Sequence, residues 1–247
     1  MNEIKIQKYF TDCGVMSRRA AEAEIAKGSV LVNGKPATLG MRITPGVDLV
    51  EYKGKPIVPM TDEKICIMLN KPRGFVTTMS DEKGRPTVQT LTSDVHARVY
   101  PIGRLDMDSD GLLLLTNDGV LAQKLTHPRH SIPKIYHVTV NSQVDNDTLA
   151  SLGAPMTIDG YKIKPVTVRV ISRSERSCVL EMTLFEGRNR QIRKMCDIVG
   201  LKITRLCRVA LGNIKLGNLR EGRWRRLTKA ELDYLYQNAD TNGSNRK

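Results

Sequence analysis

Three aspartates stand two residues apart in the stretch GRLDMDSDGLLLLTNDG, residues 103–119. Asp106, Asp108 and Asp110, followed by Gly111, match the opening of a calcium-binding loop, so a metal site is the first hypothesis to test. The twelfth position of such a loop should be a bidentate glutamate, but here it is Asn117. The apolar residues 112–115 also stand where an ion loop needs polar groups. The spacing therefore argues against calcium.

The same stretch is better explained as a loop that leads into a buried strand. The apolar run 112–115 is typical of a core strand, and residues 117–119 have the composition of a turn. An ionised aspartate held before such a strand can act as a nucleophile, stabilise a developing positive charge, or take part in proton transfer. The alternative is structural, with the aspartates bound by backbone amides and by arginines such as Arg104. Spacing alone leaves both interpretations open.

Positive charge is concentrated in one part of the chain. The net charge is +13, and residues 186–229 hold 13 lysines and arginines against three acids, whereas the rest of the chain is nearly balanced. Such a segment is typical of a protein that binds a polyanion, most often a nucleic acid. A solvated basic surface without a partner is the alternative.

The composition excludes several classes of protein. It is that of a globular domain, with 40% hydrophobic and 26% charged residues. We expect no membrane span, because no apolar run reaches the roughly 18 residues that one needs, and no secretory signal, because MNEIKIQKYF carries early charges. The five cysteines never form Cys-x-x-Cys, which predicts reduced, buried thiols in a cytoplasmic protein. The four histidines have no metal-ligand spacing, so we expect no metal site.

The second part of the chain has strand patterns with helices placed irregularly between them. The strand candidates are KICIMLNK, VYPIG, GLLLLTNDG, KIYHVTV, KIKPVTVRVI and SCVLEMTLF; the helix candidates are GVLAQKLTH, RQIRKMCDIVG and KAELDYLYQ. Most strands are followed directly by another strand. This order predicts an α+β domain on a mixed, mainly antiparallel sheet.

The first 60 residues predict a separate, small unit of helices and short strands. IQKYFTDC has one apolar face, Ser17 can cap a second helix RRAAEAEIAK, and hairpins are indicated at Asn33-Gly34 and Lys53-Gly54. We therefore predict domains at residues 1–60 and 61–237, joined near VPMTDEK, and a disordered polar tail at 238–247.

Two resemblances sharpen this interpretation. GVMSRRAAEAEIAKGSVLVNGKPA resembles the S-four-type RNA-binding domain. GRLDMDSDGLLLLTNDG, KIYHVTV and EGRNRQIRKMCDIVG, in this order, resemble the motifs of the ribosomal small-subunit pseudouridine synthase A family, a branch that also contains large-subunit rRNA enzymes. Together they cover about residues 3–236 and imply the pseudouridine synthase fold.

The family resemblance implies roles for particular residues. Asp106 aligns with the catalytic aspartate, Tyr136 with a tyrosine that can stack on a uridine flipped out of its RNA, and Arg193 with an arginine that pairs with the catalytic aspartate. Asp108 and Asp110 fall at less constrained positions and are expected to be incidental. The cations expected to contact RNA are Lys5, Arg18, Arg19, Lys71, Arg73, Arg104, Arg188, Arg190, Lys194 and Arg208.

The expected activity is isomerisation of a specific uridine in ribosomal RNA, with large-subunit RNA favoured. The reaction imports no group and involves no redox change, so no cofactor is expected. The partner would be ribosomal RNA or an assembling ribosomal subunit, and we expect a monomer. Attack on the base and a glycal route both stay open. The alternatives are a non-catalytic ribosome-binding or assembly protein of the same fold, and a metal-dependent nuclease.

Overall fold

The computed structural model describes residues 2–58, 63–127 and 132–240. By its internal contacts the chain forms two compact units. The first contains Met1–Ile65, Val95–Val99 and Thr116–Gly119, and the second contains Cys66–Asp94, Tyr100–Leu115 and Val120–Lys247. The domain boundaries drawn from the sequence stay predictions, since the contact division falls at Ile65 and assigns two later segments to the first unit. The linker around Pro59 lies largely outside the described residues.

The first unit packs two helices against short antiparallel strands. Its elements are β1 (Ile4–Lys5), α1 (Ile6–Asp12), α2 (Arg18–Ala26), β2 (Val30–Val32), β3 (Lys35–Pro36), β4 (Arg42–Ile43), β5 (Val50–Tyr52) and β6 (Lys55–Pro56). One sheet has the order β3-β2-β5-β6, and β1 pairs with β4.

Local signals in the sequence account for these elements. The Ser17 hydroxyl accepts a hydrogen bond from the Ala20 amide at 3.2 Å, which confirms the predicted helix cap. Both predicted hairpins form, and both residues of each turn have positive φ, as a two-residue hairpin loop of this kind requires. Ile6 and Phe10 from the apolar face of α1 are fully buried, together with Ala21 and Val30.

In the part of the chain that the structure describes, the second unit contains a nine-stranded sheet and four helices. The strands are β7 (Cys66–Lys71), β8 (Tyr100–Ile102), β9 (Asp110–Thr116), β10 (Lys134–Val140), β11 (Thr157–Ile158), β12 (Tyr161–Lys162), β13 (Thr167–Arg173), β14 (Cys178–Leu184), β15 (Ile203–Leu211), β16 (Ile214–Lys215) and β17 (Trp224–Arg226). The helices are α3 (Gly119–Thr126), α4 (Asn146–Gly153), α5 (Gln191–Ile198) and α6 (Lys229–Asp240), and a 3-10 turn spans Thr90–Thr92. Two of these elements have one end residue that the contact division assigns to the first unit: Thr116, the last residue of β9, and Gly119, the first residue of α3.

The large sheet is mixed and mainly antiparallel, which confirms the predicted fold class. Its order is β13-β14-β10-β15-β9-β7-β17, with β16 beside β15 and β8 beside β9; β11 and β12 form a separate hairpin. β10 pairs antiparallel with β14 and β15, whereas β15 and β9 run parallel. The parallel pair places the start of β9 beside the middle of β15.

Every residue of β9 is buried, as its continuous apolar sequence predicts. One apolar cluster contains Val138, Leu180, Ile192 and Met195, and another contains Leu112, Leu114 and Leu235. All five cysteines are free and buried, which confirms the predicted thiols. Among the described residues, no helix is long and apolar enough to cross a membrane.

Some elements differ from the predictions. Helix α4, capped by Asp145, was not predicted; the Asp145 carboxylate accepts a hydrogen bond from the Thr148 amide at 2.8 Å. Helix α5 begins at Gln191, one residue after the first residue of the predicted stretch RQIRKMCDIVG. Helix α6 continues to Asp240, so residues 238–240 of the predicted tail are helical, and residues 241–247 lie outside the described part of the chain.

Candidate active site

Asp106 lies in the loop that connects β8 to β9, and the backbone of this loop is held at every residue from Leu105 to Ser109. The carbonyl of Leu105 accepts a hydrogen bond from the Thr77 hydroxyl at 2.6 Å, and that of Met107 accepts one from the Gly74 amide at 2.7 Å. The carbonyls of Asp106 and Ser109 both bind the Lys71 ammonium, at 3.1 and 2.8 Å. The Asp108 carbonyl accepts a hydrogen bond from Arg193 at 3.1 Å. All five consecutive carbonyls from Leu105 to Ser109 are therefore bound.

Lys71 ends β7 and is completely buried beneath this loop. Its ammonium donates to three backbone carbonyls, the third being that of Pro72 at 2.9 Å. Burial lowers the pKa of Lys71 to about 8, against the opposing attraction of Asp110, Asp108 and Asp106. The prediction that Lys71 contacts RNA is therefore wrong, since a lysine with no exposed surface cannot reach a phosphate. It positions the loop instead.

The carboxylate of Asp106 remains available for chemistry. Its side chain is 36% exposed, and Arg190 approaches one oxygen at 3.6 Å. A carboxylate on a backbone bound at five points, beside a guanidinium, is prepared to act as a nucleophile, to move a proton or to stabilise a developing positive charge.

Arg193 binds the same loop but contacts a different aspartate from the one predicted. Its Nη2 donates to the Asp108 carbonyl at 3.1 Å and to the Ser109 hydroxyl at 3.2 Å, and lies 3.1 Å from the Asp108 carboxylate. The Nε atom is buried without a hydrogen-bond partner. The expected Asp106–Arg193 pair is thus replaced by Asp108–Arg193, because α5 presents Arg193 to the end of the loop next to β9.

Asp108 and Asp110 are not incidental, contrary to expectation. Asp108 is shared by Arg190 and Arg193. Asp110 is almost fully buried and pairs with Arg205 at 2.7 Å. It also neighbours Cys207, whose pKa is raised to about 12 by burial and by this carboxylate, so the thiol stays protonated. Arg205, one of the cations of the basic segment 186–229, is therefore bound to a buried carboxylate.

The register of the sheet brings Tyr136 towards the aspartate loop. Tyr136 in β10 faces Arg208 in β15, and Arg208 faces Gly111 in β9. Neighbouring strands lie about 4.8 Å apart, so the backbones of Tyr136 and Gly111 are roughly 10 Å apart. Tyr136 is half-buried and packs against the apolar cluster that contains Ile192 of α5.

The structure also corrects the prediction that Arg208 contacts RNA. It is only 5% exposed, and its Nε donates to the Leu112 carbonyl at 2.7 Å. The side chain is therefore directed into the protein, where it stabilises the β15–β9 pair instead of meeting a phosphate.

The other predicted RNA contacts are at the surface. Arg73 and Arg104 are exposed. The Arg188 guanidinium lies 3.0 Å from the centre of the Tyr161 ring, and Lys194 forms an ion pair with Asp159. In the first unit, Arg18 and Arg19 are exposed at the start of α2, and Lys5 and Arg18 line a groove of about 430 Å³.

Two residues of the site were not identified from the sequence. Ser109 accepts from Arg193 through its hydroxyl, and Lys134, which is partly buried and lies two residues before Tyr136, has a pKa lowered to about 8 by desolvation and then by Arg208. A lysine next to an apolar strand pattern, as in KICIMLNK, is a sequence signal for a buried cation such as Lys71. Within the described ranges, no three histidine, cysteine, aspartate or glutamate side chains are grouped to hold a metal ion.

Comparisons with known proteins identify the family and the N-terminal domain. Residues 65–197 match the RNA pseudouridylate synthase family, and residues 14–49 match the S4 domain. The chain is 40% identical to an uncharacterized RNA pseudouridine synthase of Aquifex aeolicus (strain VF5), with 96% of this chain and 95% of that protein covered. It is 37% identical to the ribosomal large subunit pseudouridine synthase B of Bacillus subtilis (strain 168), with 96% and 97% covered. A crystal structure of a pseudouridylate synthase superposes with a TM-score of 0.67 at 27% identity, over 94% of this chain and 99% of that one.

Proposed function

This chain belongs to the RNA pseudouridylate synthase family, and on that premise we propose that it converts a uridine of ribosomal RNA to pseudouridine with Asp106 as its catalytic group. The family and the S4 domain establish a pseudouridine synthase with an RNA-binding module. Ribosomal RNA is the substrate proposed because a relative that covers nearly the whole chain is named for the large ribosomal subunit.

The observation that carries the role of Asp106 is the bound backbone around an exposed carboxylate. Isomerisation breaks the bond from the ribose to N1 of uracil and forms a bond from the same ribose carbon to C5. The proton leaves C5 and N1 gains one, so the atoms balance without an added reactant. A fixed carboxylate can attack the base or the sugar, or stabilise the sugar as the bond breaks.

Tyr136 and Arg193 support this chemistry in the proposal. A flipped uridine costs a few kcal/mol to extrude, and stacking on a tyrosine next to the loop would offset part of this cost. Arg193 acts through the backbone and side chain of residues 108–109, which places it as a positioning residue for Asp106.

Release of tritium from ribosomal RNA labelled at uracil C5 tests the proposal. The wild-type protein should release tritium in excess chelator, and Asp106→Asn should release none while binding RNA with nearly unchanged affinity. Asp233→Asn, which alters an exposed carboxylate on α6, is the matched control and should keep full activity. Activity of Asp106→Asn near that of the wild type would sink the assignment. Cleavage of the RNA chain that required a divalent ion, without release of tritium, would favour the nuclease alternative. Neither cleavage nor tritium release with naked RNA or immature subunits would favour the binding protein.

We further propose that the modified uridine is in large-subunit RNA, and that the protein acts in the cytoplasm as a monomer during ribosome biogenesis. Pseudouridine maps of ribosomal RNA from cells with and without the gene should differ at a large-subunit position. Loss of a small-subunit position alone would contradict the choice of subunit.

A further inference from the structure

We propose that Arg190 and Arg193 form a binding site for one backbone phosphate of the RNA, and that the Asp108 carboxylate occupies this site until the phosphate displaces it. The inference rests on the proposed function, because an RNA substrate supplies the phosphate. In this proposal, the Asp108 carboxylate takes the place of the RNA phosphate while no RNA is bound.

Both guanidinium groups converge on the same carboxylate. Arg190 contacts Asp108 through Nη1 and Nη2 at 3.3–3.4 Å, and Arg193 contacts it through Nη2 at 3.1 Å. A phosphate presents the same kind of paired oxygen acceptors to arginine as a carboxylate does. The two side chains are therefore already directed at one anionic group.

The contacts to Asp108 are of a kind that a competing anion can replace. Asp108 is 50% exposed and Arg190 is 44% exposed, and their contacts are longer than the 2.7–2.9 Å usual for a charge-assisted hydrogen bond. The Asp110–Arg205 pair in the same sheet has the opposite character, at 2.7 Å with the carboxylate 3% exposed. An exposed, loose ion pair contributes little to stability, so an incoming anion can replace it.

The surroundings have room and a matching charge balance. A cavity of about 380 Å³ opens beside the pair and is lined by Arg190, Arg193, Asp197 and Lys202, with backbone and apolar atoms of residues 200, 201 and 203. With Asp108 in place, two guanidinium groups face two carboxylates, since Arg190 also lies 3.6 Å from Asp106. A phosphate that displaced Asp108 would keep this balance and would sit next to the reacting uridine.

The backbone at Arg190 supports a dedicated placement. Its φ is 51°, a left-handed conformation that is unfavourable for a non-glycine residue and that recurs at functional sites. The conformation turns Arg190 back towards the aspartate loop at the point where α5 begins.

Binding of large-subunit ribosomal RNA, transcribed in vitro, tests the proposal with Asp108→Asn in the full-length protein. The substitution keeps the shape of the side chain and removes its charge, so the phosphate no longer competes with a carboxylate. Affinity should rise by about fivefold, the lower end of ordinary coupling between two ligands. The slope of log affinity against log salt should steepen by up to about 0.7, the value for one more neutralised phosphate of single-stranded RNA.

Two controls separate this from a general gain of positive charge. Asp233→Asn removes an equally exposed, ion-paired carboxylate and should change affinity and slope much less. In an Arg190→Gln background, the effect of Asp108→Asn should shrink, because one of the two phosphate ligands is gone.

Two results would overturn the proposal: Asp108→Asn binding no tighter than Asp233→Asn, or its gain persisting in full with Arg190→Gln. Failure of the proposed function is distinguishable, because it would appear as absence of tritium release by the wild-type protein. The binding comparison does not depend on turnover.

Discussion

At the scale of single residues, the site depends on backbone carbonyls more than on side-chain pairs. Lys71, Gly74, Thr77 and Arg193 bind carbonyls of the loop that carries Asp106. Such contacts fix the direction of a side chain without occupying its functional group. This leaves the Asp106 carboxylate positioned but accessible, which is what a reaction at an RNA base requires.

Lys71→Met should lower kcat by at least about tenfold with little change in KM. The substitution removes three donated hydrogen bonds. The Asp106 carbonyl keeps its hydrogen bond from the Ser109 amide, but the buried Ser109 carbonyl loses the Lys71 donor, at a cost of about 1–3 kcal/mol, so the loop should no longer keep its fixed position. Lys71 is buried, and RNA affinity should not depend on it. Single-turnover rates and KM on ribosomal RNA would measure both quantities; a rise in KM with unchanged kcat would instead indicate an RNA contact.

The same lysine predicts a pH dependence of activity. As the pH rises through about 8, Lys71 loses the proton that gives it a third donor, so kcat of the wild type should fall. The lowered pKa means that the unfolded chain binds this proton more tightly than the folded chain. Between about pH 8 and 10.5, loss of the Lys71 proton therefore does not lower the free energy of unfolding. The fall in kcat then reflects a change in the aspartate loop and not unfolding of the protein. Lys134, with a similar pKa, is the control: Lys134→Met should retain the decline.

At the scale of elements, the parallel pair of β9 and β15 places the aspartate loop. Gly111, the second residue of β9, lies opposite Arg208 with a φ of 103°, and an added Cβ would lie 2.3 Å from the Arg208 carbonyl oxygen. The two backbones therefore approach more closely than any other residue type permits. This contact sets the distance between the aspartate loop and β15. Strand β15 lies between β9 and β10, the strand that carries Tyr136.

Gly111→Ala should destabilise the fold by clearly more than Gly200→Ala. Gly200 also has a positive φ, 75°, but a Cβ there meets nothing within 4 Å, so its cost is the conformational one of about 1–2 kcal/mol. At Gly111 a backbone clash adds to that cost and forces β9 and β15 apart. Urea unfolding of both variants would compare the free energies of unfolding; equal values would show that the strands adjust freely.

At the scale of the whole molecule, charge and catalytic groups are distributed differently. The net charge is +13, with the largest excess in residues 186–229. Several of those cations are nevertheless committed within the protein, as Arg205 and Arg208 show. Cations of the first unit, including Arg18 and Arg19, belong to a compact unit that contains none of Asp106, Tyr136 and Arg193.

Arg18→Ala and Arg19→Ala together should therefore raise KM for ribosomal RNA while kcat stays nearly constant. Phosphate contacts position the RNA and add to affinity, and they do not act on the reacting base. The salt dependence of binding should become shallower in this variant, by about 0.7 for each phosphate that is no longer neutralised. Lys35→Ala together with Lys55→Ala, which removes two exposed positive charges from β3 and β6, is the control. A fall in kcat at saturating RNA would show that the first unit contributes to more than affinity.

The sequence alone determined the local architecture and the identity of the loop that carries Asp106. The cap at Ser17, the two hairpins and the buried run 112–115 depend on neighbours within a few residues, so their signals are present in short stretches. The order of strands and helices along the chain was enough to predict the α+β class, because most strands are followed directly by another strand.

Only the tertiary structure decided which cation meets which carboxylate and which cations are buried. Arg193 binds Asp108 across 85 residues of chain, and Arg205 binds Asp110 across 95. Lys71 reaches the Asp106 carbonyl across 35. Pairs of this kind depend on strand register and on where α5 begins, to within an ångström or two, whereas composition and spacing report only that the charges are present. The fold therefore converts a row of three similar aspartates into one exposed carboxylate, one exchangeable ion pair and one buried anchor.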